Sequence, residues 1–377
     1  MEENTNKNHK AEPGHQQPIL RTDGTTSASS NPISPYAELH AHSNYSFQEG
    51  ASEIWDLLLT AKNIGLKAMA ITDHDNITGA MEFSQAAKEL GIKPIIGVEI
   101  TLSRGLSEPS GTKHLPPNQP HITLLAETAI GYKNICRLTT RSHVDAEERK
   151  YPNLDPIVLK KHSQGIICLS GCRQGEISRL VDNGDFESAR HAASKYLNIF
   201  GKEHFFMELQ QNLVMGDLQR NQNMAKLASD LGVGIVATNN VHYHIRDRHR
   251  LNDSLIAIKH NKSLEASHRE RRPNDQFFLK SAEEMSALFK TLPEAITNTT
   301  KIADRCDFDI TSNSIYDFPS YEFLPPGHTE SSYLRKICEE AAVRRYGSLK
   351  TNVVTRLDQE FALLEKHQLI GFVLQYY

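Results

Sequence analysis

Seven short apolar runs, separated by stretches of helical periodicity, restrict this chain to a small set of folds. The runs are 37–43 (AELHAHS), 67–74 (KAMAITDH), 93–102 (KPIIGVEITL), 121–127 (HITLLAE), 165–171 (GIICLSG), 204–210 (HFFMELQ) and 233–240 (VGIVATNN). Most are rich in β-branched residues, so they read as buried strands. Between them lie amphipathic patterns. Residues 52–64 place Ile54, Leu57, Leu58, Ala61 and Ile64 on one face. Residues 78–90 do the same with Ala80, Phe83, Ala86, Ala87 and Leu90, and Gly91 follows as a C-cap. Further helical stretches are 131–143, 174–198 and 217–231. Repeated strand–helix alternation predicts parallel strands with helices outside, and closure into a barrel removes the sheet edges.

The flanks have a different texture. Residues 1–35 are polar and rich in Asn, Ser, Thr, Gln and Pro, the composition of a disordered tail. After His242 the strand rhythm stops, and 246–310 reads as helical, with basic clusters at Arg246–Arg250 and Arg269–Arg272. Such runs could neutralise a few phosphates, but beside Asp247 and Glu270 they read first as solvated helix faces. A Pro- and Tyr-rich connector at 316–327 precedes helical stretches at 330–345 and 354–368. The closing GFVLQYY has no cap or polar tail, so the chain reads as the front part of something longer. No apolar run reaches about 18 residues, the length of a membrane-spanning helix. The N-terminus lacks the apolar h-region of a secretory signal. A net charge of −4 argues against a strongly basic nucleic-acid binder, and five cysteines in 377 residues form no disulfide framework. The cytoplasm is the expected compartment.

Eighteen histidines against one tryptophan direct attention to metal ligation. His40 and His42 stand two apart in a strand, so both imidazoles point to one face; exposed strand-edge histidines are the bland alternative. His74 closes the second strand in Thr72-Asp73-His74-Asp75, where barrel active sites lie. Glu99 is a carboxylate inside an apolar strand, and a buried unpaired carboxylate costs several kcal/mol unless a cation compensates it. Its alternative is an outward-facing position. Cys172 closes the fifth strand, Asn240 and His242 close the seventh, and Glu49 lies in the loop after the first. His121 opens its strand rather than closing it, which fits less well. Glu208 is either a group behind the ligands or a helix-facing side chain. Imidazoles, carboxylates and a thiol converging on one rim suit zinc, manganese or iron. Eight or nine ligands exceed one ion, so two or three divalent ions are expected, the arrangement that promotes in-line attack on phosphorus. No Ser–His–Asp order, P-loop or GxGxxG element competes.

HAHS, TDHD, GVE, LSGC and TNNVH, in that order, resemble the polymerase and histidinol phosphatase (PHP) family. Over about 36–377 the chain resembles the N-terminal part of bacterial family C DNA polymerases, the DNA polymerase III alpha subunits and their error-prone paralogues. HITLLAETAIGYKNICRL, LSGCRQGEI and ATNNVHYHIRDRHR look like the error-prone branch. The resemblance implies an α/β fold: a distorted seven-stranded (β/α) barrel of PHP type over 36–260, then a smaller helical polymerase-like segment over 261–377, the truncated start of a palm and thumb. It implies up to three metals at His40, His42, Glu49, His74, Glu99, His121, Cys172, Asn240 and His242, with His42, His74 and Asn240 the catalytic positions. Two positions depart from the pattern, Glu49 where the polymerases usually have Asp, and Asn240 where they have an acid. A neutral amide is a weaker ligand than a carboxylate, so one ion would bind weakly or be absent. The expected activity is phosphoester hydrolysis on a DNA primer 3′ end or on pyrophosphate, in a replication or translesion context with other replication proteins as partners. A metal-stabilised module without turnover, or a free-standing histidinol-phosphatase-like enzyme, are the alternatives. The palm's Gly-Ser motif and catalytic aspartates are not found, so no nucleotidyl transfer is expected from this chain alone.

Overall fold

The computed structural model describes residues 34–112, 114, 119–146, 148, 151–312 and 320–377. The expected tail therefore falls almost wholly outside the described residues, and the connector at 316–327 partly so. Six strands form one sheet in sequence order: β1 (Ala68–Ile71), β2 (Lys93–Thr101), β3 (His121–Ala126), β4 (Ile166–Leu169), β5 (Phe205–Gln210) and β6 (Gly234–Thr238). The sheet curls into a half-barrel with helices packed outside.

Two expectations about the sheet need correction. The strands are not all parallel. β1 pairs with β2, β4 with β5 and β5 with β6 in parallel, but β3 runs antiparallel to both β2 and β4. The described residues between β2 and β3 form turns and bends rather than a helix. A parallel return needs a long crossover, usually helical, so this connection folds the chain back instead. The first apolar run, 37–43, is also not a strand. It makes isolated parallel bridges, Glu38 with Met69 and Ala41 with Val241. Side chains capture the amides that a ladder would use: His40 N donates to Glu38 Oε1 (2.9 Å), Ala41 N to Thr72 Oγ1 (3.0 Å) and Ser43 N to Asp73 Oδ1 (2.7 Å). The segment still lies between β1 and the end of β6, since Ala70 N donates to Glu38 O (2.7 Å) and His42 N to Val241 O (2.8 Å).

The helices follow the periodicity where it is strong. Helix Ile54–Asn63 buries Ile54, Leu57, Leu58 and Ala61, and helix Ala80–Leu90 ends at Gly91 with φ 75°. The stretch 174–198 is two helices, Glu176–Asp182 and Phe186–Phe200. They part at Gly184, φ 76°, and Asp185 caps the second by accepting from Ser188 N. Beyond His242 the chain is only partly helical. Helix His249–Lys259 is followed by a turn-rich strap over 260–281, then helices Ala282–Leu288 and Pro293–Arg305. The cluster Arg269–Arg272 thus sits in that strap and not on a helix face. Helix Pro293–Arg305 packs on β6, with Asn298 Nδ2 donating to Ile235 O (2.9 Å), and its Ala295 and Ile296 join the main core. Helices Glu330–Tyr346, Thr351–Lys366 and Ile370–Leu374 enclose a separate small core of Leu334, Phe361, Ile370 and Leu374. No helix among the described residues is long and apolar enough to cross a membrane.

Candidate metal centre

The rim where β1, β2 and β6 end gathers most of the residues singled out by sequence. Glu99 on β2 lies at the middle. Its Oε2 is 3.4 Å from His40 Nε2, 3.4 Å from His42 Nε2 and 3.1 Å from His74 Nε2, while its Oε1 is 3.5 Å from His121 Nδ1. The reversal of β3 accounts for His121. In an antiparallel strand the first residue, not the last, reaches this rim, and His121 stands opposite Thr101 at the end of β2. The imidazoles pack closely: His42 stacks on His74 and His242 with ring centroids 4.6 and 4.4 Å apart.

The supporting hydrogen bonds decide which ring nitrogens are free. His40 Nδ1 lies 2.6 Å from Glu208 Oε1, and a carboxylate only accepts, so Nδ1 carries the proton and Nε2 faces Glu99. Glu208 is held by Gln210 Nε2 (2.8 Å) and Thr238 Oγ1 (2.5 Å), which settles it as the group behind His40. Ser46 Oγ donates to Asp73 Oδ1 (2.7 Å), so toward His42 Nδ1 (3.0 Å) it accepts, and His42 Nε2 is left with its lone pair. His40 Nε2, His42 Nε2, Glu99 Oε1 and His121 Nδ1 are all buried and lack a hydrogen-bond partner. A neutral ring nitrogen aimed at a carboxylate repels it unless a proton or a metal cation lies between. Two sets of ligand atoms fall within 4.8 Å of one another, His40–His42–Glu99 and His74–Glu99–His121, and Glu99 belongs to both. Imidazole and carboxylate donors of this kind fit a borderline divalent metal ion.

The electrostatics agree with a site that demands positive charge. Burial pulls His40 down, but the Glu208 and Glu99 carboxylates outweigh it and hold the ring at about 10. Burial likewise opposes Glu49 and Glu99 on His74, which ends at about 9. Burial, reinforced by His74, drops His42 to about 3. Burial pushes the Cys172 thiol well above its usual range, and the Glu99 carboxylate adds to this. Cys172 belongs to neither ligand set.

The remaining predicted residues stand to one side. Glu49 Oε2 is 2.9 Å from His74 Nε2, and its other oxygen pairs with Lys259. Gly50 makes this loop: a Cβ there would lie 1.8 Å from Ser43 O. Asn240 adopts φ 49°, a left-handed conformation that Asn and Asp tolerate better than other side chains, and its Oδ1 is 2.9 Å from His242 Nε2. His242 Nδ1 lies 3.0 Å from Arg272 Nη2 and 3.1 Å from the Glu49 carbonyl oxygen, and its Nε2 faces the Asn240 amide oxygen. Both nitrogens of His242 are then occupied. Sequence reasoning missed Lys259, at the end of helix His249–Lys259, and read Arg272, within the Arg269–Arg272 cluster, first as part of a solvated helix face. It also missed Asp73, which receives Ser43 and Ser46, although TDHD contains it.

Residues 38–212 match the PHP domain family. The chain is 34% identical over 348 residues to an error-prone DNA polymerase of Symbiobacterium thermophilum, covering 88% of this chain and 30% of that protein. It is 33% identical over 332 residues to the DNA polymerase III alpha subunit of Borreliella burgdorferi, covering 88% and 29%. To the alpha subunit of Thermus aquaticus it is 36% identical over 322 residues, covering 82% and 26%. The chain therefore spans less than a third of the length of these relatives. A solved structure from Bifidobacterium adolescentis, assigned as a metal-dependent phosphoesterase, overlays on 56% of this chain and 89% of its own with TM-score 0.39 and 13% identity. That likeness is too distant to argue from. By sequence, residues 38–212 of this chain match the PHP domain family, and the chain is similar over most of its own length to error-prone DNA polymerases and DNA polymerase III alpha subunits.

Proposed function

We propose that the chain carries a metal-dependent phosphoesterase centre acting on phosphoesters of DNA, at a primer 3′ end, or on pyrophosphate, in the cytoplasm and in association with replication or translesion synthesis. The observation that carries this reading is the Glu99 carboxylate set among four imidazoles, with unpartnered buried nitrogens on His40, His42 and His121. A bound pair of divalent ions supplies acidity to water and draws charge from a phosphoryl oxygen. The protein's part is orientation. Glu208 fixes the His40 ring, Ser46 and Asp73 fix His42, and Glu99 joins the two halves. His42, His74 and Asn240 are the proposed catalytic positions, and Glu49, Cys172 and His242 complete the proposed ligand shell of a third, weaker position.

Two ions, in zinc, manganese or iron form, are the content that the two ligand sets support best; Asn240 and the occupied His242 ring weigh against a full third. The division proposed for the chain is a barrel over 36–260 and a helical segment over 261–377. Purified full chain loaded with manganese should hydrolyse a generic phosphodiester or a 3′-recessed primer, and His42→Ala should abolish turnover. Hydrolysis unchanged in that variant would defeat the reading. A centre that binds metal and raises the melting temperature without turnover is the second reading, favoured by the amide at Asn240.

A further inference from the structure

Lys259 and Arg272 reach the centre from the helix and strap that follow the last strand, and the two cations differ in one respect. Lys259 is paired with the Glu49 carboxylate, and Arg271, next in sequence, with Asp253. Arg272 has no carboxylate ion-pair partner among the described residues. Its Nη2 lies 3.0 Å from His242 Nδ1, which is itself 3.1 Å from the Glu49 carbonyl oxygen, and its Cζ rests 4.9 Å from the centroid of the Phe277 ring. Its Nε is buried and has no acceptor. This half-buried guanidinium has the Glu49 and Glu99 carboxylates nearby but none in direct contact, and its planar fork matches phosphoryl oxygens. His242, which Arg272 touches, stacks 4.4 Å from His42, placing the cation one ring from the ligand set.

We infer that Arg272 is the oxyanion-binding residue of this centre, taking a non-bridging phosphoryl oxygen of the substrate. This rests on reading the centre as a phosphoesterase. Phe277 holds the guanidinium plane by stacking, and His242 aims it, so the arginine enters binding already ordered. The ligand chemistry is a phosphoryl oxyanion, whether of a diester or of free orthophosphate, and the measurement separates the two.

The full chain, with metal content recorded by mass spectrometry, is titrated with inorganic orthophosphate by calorimetry, both loaded and chelator-treated. KM and kcat are measured separately on bis(p-nitrophenyl) phosphate. Arg272→Gln should weaken orthophosphate by about tenfold or more, as expected for losing a charged hydrogen bond, and raise KM for the diester more than it lowers kcat. Arg272→Lys, which keeps the charge but loses the fork, should fall between and guards against a folding defect in the first variant. A rise in KM without a change for orthophosphate would confine the role to diesters. Orthophosphate affinity and KM both unchanged in Arg272→Gln, with metal content intact, would overturn the assignment. A wild-type chain holding no metal and hydrolysing nothing would overturn the phosphoesterase reading instead. The orthophosphate titration of the chelator-treated protein would still decide Arg272.

Discussion

At the scale of single residues the centre depends on groups of opposite character that cannot be removed independently. Glu99 is the acceptor common to His40, His42, His74 and His121, and it is fully enclosed. Glu99→Gln keeps the shape but removes the charge that two ions would share. The bound metal should fall by at least one equivalent per chain, read by mass spectrometry of the dialysed protein; unchanged content would mean that the carboxylate bridges nothing. Glu208 acts one step back, through His40 Nδ1 at 2.6 Å. Glu208→Gln should weaken metal affinity by about 10–100-fold, as outer partners of histidine ligands commonly do, with the chain still folded. The paired histidines and Glu99 were legible from spacing and from a carboxylate in an apolar run. Glu208 was ambiguous there, because a strand residue's face cannot be assigned until its neighbours are known.

At the scale of elements, loops and strap position what the strands cannot. The turn at Gly50 brings Glu49 back over the rim, and a side chain there would collide with the Ser43 carbonyl. Gly50→Ala should destabilise the chain by about 1–3 kcal/mol in denaturant titration, the range for a substitution that forces backbone to move. A stability loss near zero would show that the loop relaxes freely. The strap carries Lys280, whose Nζ donates to Asn239 Oδ1 at 3.0 Å and sits 4.3 Å from the Phe278 centroid. Burial lowers this amine from 10.5 to about 8. Between those values the unfolded chain holds a proton that the folded chain has released, so this group makes stability rise with pH across that window. Below about 8 the penalty of burying the charge is felt in full. Lys280→Met should flatten that part of the pH–stability curve, measured by melting temperature from pH 8 to 10. An unchanged slope would locate the dependence elsewhere. None of the strap was readable as such, since its turns carry no periodicity and its basic residues look like a solvated helix.

At the scale of the whole molecule, ligands from β2, β3, the first apolar run and the end of the second meet only when the sheet curls. An ion that binds the folded chain alone stabilises it by about 4 kcal/mol when its concentration is a thousand times its dissociation constant. Chelation should therefore lower the melting temperature of the full chain by about several degrees in calorimetry. A melting curve that chelator leaves in place would remove the metal from both readings of function.

The sequence by itself determined the alternation of apolar runs and amphipathic helices, the helix end at Gly91, and the residue types at the rim, because period and capping are local properties. The tertiary structure alone decided the reversal of β3, which delivers His121 to the rim from the front of its strand. It decided also that 37–43 would bridge rather than pair, since side chains distant in the chain took its amides. And it brought Arg272 against His242, thirty residues away, because contacts made by an irregular strap follow from packing and not from any pattern along the chain.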